Sequence, residues 1–277
     1  MSSTLDQATY IDAQVRSLEQ ANPLRESTLR SVIATLKLAP GSHGLDIGCG
    51  IGLQAPLLAE ATGSAGRVTG LDISAGLLAY AQNRIKSLAC ADRITFKGGD
   101  MRSLPFPDDT FDWVWSVDCV GYPAGDLLPV LKEITRVVRP GGIVAILAWT
   151  SQQLLPGYAM LEARLNATCS AYAPFLQGRS PESHFQRALR WFSEAGITEA
   201  AAHTVVGDIQ APLSAECRTA LTSLFEMLWG EPQPTTSESD RLEYRRLCRV
   251  ESPDFILNLP EYYAFFTYSM FSGRVSK

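Results

Sequence analysis

Between residues 43 and 149, five short apolar runs alternate with stretches of helical periodicity, and this rhythm constrains the fold more than any other feature of the chain. The runs are 43–47, VTGLDI at 68–73, RITFK at 93–97, FDWVWSV at 111–117 and IVAILAW at 143–149. Helices are expected between them at about 52–61, 74–89 and 126–138, the last stopped by RPGG. Strands that alternate with helices form a parallel sheet with right-handed crossovers and helices on both faces. Upstream, NPLRESTLRSVIATLKL opens on Asn22, a capping residue before Pro23, and sets Leu29, Val32, Ile33 and Leu36 on one face. A helix is therefore expected to start there and to end at Pro40-Gly41.

Beyond residue 150 the rhythm changes. HFQRALRWFSEAGI reads as a helix ending at Gly196, a strand follows at about 199–209, and the last strand-like run covers 262–275. The stretches 151–182 and 210–258 read as helical insertions, and EPQPTTSESD at 231–240 as a mobile polar loop. With 277 residues, one α/β domain is expected, its core at 22–150. A net charge of -5 without a basic stripe argues against nucleic acid or an anionic membrane as partner. No run of 18 apolar residues suggests a membrane span, and the N-terminus has no signal-peptide pattern. Six scattered cysteines with no C-x-x-C point to reduced thiols in a cytoplasm and to no metal site.

The first strand runs into LDIGCGIG, with Gly48, Gly50 and Gly52 on alternate positions before a helix. Glycines there let backbone turn tightly and let a ligand approach, and the helix start offers free N–H groups to negative charge. The dinucleotide fingerprint G-x-G-x-x-G is not met, because the third glycine falls one position early, which disfavours a nicotinamide oxidoreductase. Asp46 would repel a pyrophosphate but attract a cationic amino group or sulfonium, so a zwitterionic ligand such as S-adenosylmethionine fits; capping of the turn is the other reading of Asp46. Asp72, closing the second strand, could accept from ribose hydroxyls, with Ile73 beside an adenine face. Asp100, after the third strand, could accept from the adenine amino group, with Met101 next to it.

LDIGCGIG, VTGLDIS, GGDMRSLPFPDDTFDWVWS and LKEITRVVRPGGIVAIL together resemble class I S-adenosylmethionine-dependent methyltransferases, similar to the ubiquinone/menaquinone C-methyltransferase group. The resemblance implies a Rossmann-like α/β fold, a seven-stranded sheet of order 3-2-1-4-5-7-6 whose last strand, at 262–275, is antiparallel. It also implies S-adenosylmethionine as cofactor and S-adenosylhomocysteine as product. Carried over by position, Asp46, Gly48, Cys49 and Gly50 would serve the methionine part, Asp72 and Ile73 the ribose and adenine, and Asp100 and Met101 the adenine. Ser116 and Val117 would bind the amino group through their backbone carbonyls.

Methyl transfer is an in-line displacement, so positioning in a dry pocket supplies much of the catalysis, and a base is needed only for a nucleophile that must lose a proton. The candidates follow the fourth strand in SVDCVGYP: Asp118 to accept or orient a proton, or else to cap the next turn, and Tyr122 as a wall or donor. Cys119 matches a cysteine of arsenite methyltransferases, which needs two more thiolates, Cys169 being one candidate; a small buried apolar role is expected instead. His184 and His203 are expected on the surface or in the core, and the tryptophans in the core. Acceptor specificity is expected from 1–25, 151–182 and 210–258, where Tyr10, Tyr158, Tyr172, Phe175, Phe225 and Met227 suit an apolar or aromatic small molecule, a helical cap or a homodimer surface. The expected function is methyl transfer to carbon or oxygen of such a metabolite, the alternative a non-catalytic cofactor-binding protein.

Overall fold

The computed structural model describes residues 2–122, 126–167, 178–230 and 236–277, with side chains from residue 9 onward. The runs of Val, Ile, Leu and aromatic residues pair into one sheet: β1 His43–Ile47, β2 Arg67–Asp72, β3 Ile94–Gly98, β4 Phe111–Val117, β5 Val138–Gln153, β6 Ile197–Gln210 and β7 Tyr263–Val275. Their order is β3-β2-β1-β4-β5-β7-β6. β1 to β5 are parallel, and β7 enters between β5 and β6 antiparallel to both. The described helices are α1 Ser2–Thr35, α2 Ala55–Ala61, α3 Ala75–Ile85, α4 Leu128–Val137, α5 Ala159–Asn166, α6 Ala188–Glu194, α7 Ala215–Trp229 and α8 Glu238–Cys248.

The pleat sorts the core into two layers, because successive strand side chains point to opposite faces. Trp113 and Trp115 of β4, Leu147 of β5 and Tyr268 of β7 pack with Leu29 and Val32 of α1 and with Leu221 and Phe225 of α7. Val114, Val144 and Ile146 face the other way, against Leu131 and Ile134 of α4 and Trp191 and Phe192 of α6. A smaller group joins Val15 of α1 to Ile51, Leu53 and Leu77, over the glycine turn. Among the described residues no helix is long and apolar enough to cross a membrane.

Three local expectations are corrected. α1 does not begin at Asn22: it runs through Pro23, and the Asn22 side chain donates to Glu26 instead of capping. The missing N–H of Pro23 costs one helical bond, which the apolar contacts of Val15 and Leu29 on either side offset. RPGG does not separate α4 from β5. Val138 already pairs with Phe111, and β4 then advances two residues, 111 to 113, while β5 advances five, 138 to 143. Pro140 thus sits in a bulge, where no ladder N–H is required. Third, the polar stretch 231–240 is not all loop: 231–235 lie outside the described residues, but Ser237 caps α8 by accepting from Asp240 N, and Glu238 and Asp240 form its first turn.

Candidate active site

The ends of β1, β2 and β3 open into a cleft of about 280 Å³ lined by Gly48, Asp72, Ile73, Asp100, Met101 and Cys119, among others. Its floor is the glycine turn. Gly48 and Gly50 have φ of +74° and +54°, in the left-handed region that side chains disfavour. Gly48 N and Cys49 N both donate to Leu71 O, at 2.8 and 3.0 Å, tying the turn to β2. A Cβ on Gly48 would lie 2.3 Å from Cys119 Sγ, so the turn and the segment after β4 approach through a glycine-sized gap.

Asp72 organises two elements at once. One carboxylate oxygen accepts from Gly50 N at 2.9 Å and the other from Ser74 N at 2.8 Å, where Ser74 caps α3. Asp46 is only 2% exposed, and its Oδ2 has no hydrogen-bond partner among the described residues. Burial, helped by the charge of Asp72, pushes its carboxyl up to about 7. A buried, unsatisfied acid is costly unless a ligand completes it. Asp46 lies directly behind the cleft, next to the lining residues Ile47 and Gly48 but not itself part of the described lining, and its chemistry suits a cationic group.

The part of the cleft expected to take the adenine is built differently from the expectation. Ile73 lines the cleft and is 74% exposed, an apolar face without a cover. Asp100 also lines it, but its carboxylate is held by Arg102, with Nη2 to Oδ2 at 2.6 Å, and these bonds draw it down to about 2. Ser116 and Val117 do not line the cleft. The Ser116 hydroxyl donates to Ile47 O and accepts from Val120 N, a tie between β1 and β4. Cys119 is not a buried core residue: it is partly exposed on the cleft wall, and burial of part of it lifts the thiol to about 11, so it stays protonated.

A second cavity, of about 220 Å³, lies between α1 and α7 over the end of β4. Leu18, Leu24 and Arg25 of α1, Met227 and Leu228 of α7, and Trp149 of β5 form much of its wall. Trp149 stacks on Phe266 with ring centroids 4.3 Å apart. Asp118 and Tyr122, the expected catalytic candidates, both line this cavity. Asp118 has φ +50° and accepts from three donors: Trp149 N at 2.7 Å, Tyr268 Oη at 3.0 Å and Arg25 Nη1 at 3.4 Å. Burial raises its carboxyl above the usual range, while the Arg25 charge and these hydrogen bonds pull against it. Burial and the Asp118 charge in turn hold the Tyr268 phenol well above its ordinary range.

The two cavities meet at consecutive residues, Asp118 facing one and Cys119 the other. Leu18 spans the same border: its Cδ1 is 3.5 Å from where a Cβ on Gly50 would stand. Arg25, Trp149 and Tyr268 were not singled out from sequence, and no local motif marks them. Other candidates lie elsewhere. His184 caps a short 3-10 turn by accepting from Gln186 N, and His203 is exposed on β6. Tyr10 is 62% exposed, Phe225 is core, Tyr158 packs beneath Arg246, and Tyr172, Phe175 and Cys169 fall outside the described residues. Among the described residues no group of three or more His, Cys, Asp and Glu side chains is placed to hold a metal ion.

A family described as a methyltransferase domain matches residues 45–142. The demethylmenaquinone methyltransferase of Bacillus licheniformis is 32% identical over 212 residues, covering 71% of this chain and 86% of that protein. The chain belongs to the class I S-adenosylmethionine-dependent methyltransferases. The demethylmenaquinone methyltransferase of Lysinibacillus sphaericus is 41% identical over 129 residues, 46% of this chain, so the match spans about half, 52%, of that methyltransferase's length. In structure, a chain of the Haloferax volcanii complex between the Trm112 methyltransferase activator and a methyltransferase superposes with a TM-score of 0.57 at 18% identity, covering 96% of each chain. That likeness concerns the methyltransferase fold. S-adenosylmethionine, not a nicotinamide, is the cofactor of this methyltransferase family.

Proposed function

We propose that this chain, acting as one domain in the cytoplasm, transfers the methyl group of S-adenosylmethionine to a carbon or oxygen of a small apolar or aromatic acceptor. The observation that carries this reading is the junction of the strand-end cleft, with its acids Asp72 and Asp100, with the cavity between α1 and α7, at Asp118 and Cys119. When bound, the cofactor supplies a methyl group already activated by its sulfonium. Asp46 and the turn at Gly48 to Gly50 hold its methionine end, Asp72 the ribose, and Ile73 and Met101 the adenine faces. Asp100 reaches the adenine amino group only when Arg102, which is 71% exposed, swings away. The apolar wall excludes water from the acceptor, which makes positioning the main catalytic contribution. Asp118 already serves three donors, so its role is to fix Arg25 and Tyr268 rather than to take a proton, and Tyr122 closes the wall.

Titration calorimetry with S-adenosylhomocysteine, and with NAD as control, tests the cofactor half of this reading. Binding of S-adenosylhomocysteine alone is expected. Asp72→Ala should weaken it about 100-fold, or about 2.8 kcal/mol, and lower the melting temperature modestly through the loss of the Gly50 and Ser74 bonds. Unchanged affinity in Asp72→Ala would remove Asp72 from the site.

A second prediction comes from Asp46. Its folded-state value, raised from 3.8 to about 7, means that the free protein keeps Asp46 protonated in mildly acidic solution. The sign is that of a raised group: its contribution to stability is full below pH 4 and is lost as pH climbs through 7. A cation placed against Asp46 favours the carboxylate. S-adenosylhomocysteine binding at pH 6 should therefore release about one proton, and at pH 8 none. Comparing heats in two buffers of different ionisation enthalpy at each pH measures this, and equal release at both would place the cation elsewhere.

A further inference from the structure

The apolar cavity contains one cation whose hydrogen-bonding capacity the described residues leave largely unused. Arg25 projects from the second half of α1 into the wall, its side chain only 13% exposed. A guanidinium carries five N–H donors and keeps its charge at any pH the fold survives. Among the described residues its ion pair is with Asp118 Oδ2, at 3.4 Å, a long bond for a charged pair, and the Tyr268 hydroxyl is its other polar neighbour. Its Nε is buried with no acceptor among the described residues.

Asp118 cannot repay this shortfall. Its Oδ1 is taken by Trp149 N at 2.7 Å, and its Oδ2 is shared with the Tyr268 hydroxyl at 3.0 Å. The carboxylate is thus well satisfied while the guanidinium keeps N–H groups to spare; the two charges balance, and the surplus in the cavity is of donors. No other charged residue belongs to the described lining. Apart from Ser17, the remaining wall is aliphatic and aromatic, with Trp149 and Tyr268 edge to face at 78°, their centroids 5.7 Å apart. In such surroundings a donor fork attracts an oxygen anion far more strongly than it would in water.

We infer that the methyl acceptor is an apolar or aromatic molecule bearing an anionic oxygen, a carboxylate, enolate or phenolate, and that Arg25 is the residue that recognises it. This rests on the function proposed above, because it takes the α1–α7 cavity as the acceptor site. It also accounts for the engaged state of Asp118: an acceptor that enters ionised needs no protein group to remove its proton. Arg25 binds the oxygen with its spare N–H groups, Asp118 and Tyr268 hold the guanidinium in place, and the stacked Trp149 borders the apolar body.

The test uses the full chain saturated with S-adenosylhomocysteine and a matched pair of probes, 2-naphthoate and the neutral 2-naphthamide, followed by calorimetry. The anion is expected to bind at least about tenfold more tightly than the amide. Because Arg25→Met alone strands a carboxylate, the comparison is made in the double variant Arg25→Met with Asp118→Asn, where the preference should fall to within about twofold. Arg25→Lys, which keeps the charge without the fork, should retain part of it. Retained S-adenosylhomocysteine affinity shows that each variant is folded. If the wild-type protein binds S-adenosylhomocysteine but prefers neither probe or binds neither, the inference is wrong and the function stands. A preference that survives in the double variant also removes Arg25. Failure to bind S-adenosylhomocysteine at all overturns the proposed function, and the inference with it.

Discussion

Gly48→Ala is expected to weaken S-adenosylhomocysteine binding by at least about 100-fold. Two costs coincide at this position. A left-handed φ of +74° costs a residue with a Cβ about 1–2 kcal/mol. The added methyl would also stand 2.3 Å from Cys119 Sγ and 2.6 Å from Cys119 Cβ, distances that real contacts do not allow. The turn must then retreat, and the bonds from Gly48 N and Cys49 N to Leu71 O are lost with it. Gly63 provides the control: its φ is +71°, but nothing lies within 4 Å of its added Cβ. Gly63→Ala should therefore cost about 1 kcal/mol of stability from strain alone and leave binding unchanged. Pairing Gly48→Ala with Cys119→Gly should restore part of the affinity. Calorimetry and thermal melts on the four proteins decide the matter, and equal behaviour of the two single variants would show that the gap at Cys119 does not limit the turn.

The other large effect is at Asp118. Asp118→Ala should lower stability by about 3 kcal/mol, since it leaves Trp149 N, the Tyr268 hydroxyl and the Arg25 charge without their acceptor in a largely buried place. Backbone conformation adds to the loss, because φ of +50° is tolerated by Asp and Asn better than by Ala. Asp118→Asn keeps the conformation and one oxygen, so it should lose about half as much. Urea unfolding midpoints should rank wild type, Asn, Ala in that order. An alanine variant as stable as wild type would mean that the Arg25–Asp118–Tyr268 cluster contributes nothing to folding.

The parallel half of the sheet was legible in the sequence because β1, β2 and β4 are largely buried on both faces, which leaves short continuous apolar runs bounded by Gly and Asp, while the edge strand β3 keeps only Ile94 fully buried. The glycine turn was legible too, since Gly48 and Asp72 sit where strand ends and helix starts make their roles local. What sequence did not reveal depends on contacts between distant segments. Arg25 and Asp118 are 93 positions apart, and Asp118 and Tyr268 are 150 apart, so neither spacing nor periodicity connects them. Asn22-Pro23 misled for the opposite reason. A strong local stop signal was overridden by tertiary packing on both sides of it, which keeps α1 continuous. Asp100 read as a free acceptor because Arg102, two residues on, could not be known to fold back on it.

The apolar cavity takes most of its wall from two helical stripes. Residues 17, 18, 21, 24 and 25 follow one another on α1 at intervals of one turn or less, and 224, 227 and 228 do the same on α7. The cleft at the glycine turn, by contrast, is made of strand ends and the loops that follow them. Under the proposed function, recognition of the shared cofactor and of the individual acceptor would therefore be written in separate parts of the chain. A lineage could exchange these eight side chains and acquire a new acceptor while every strand end, and the cofactor it serves, stayed as it was.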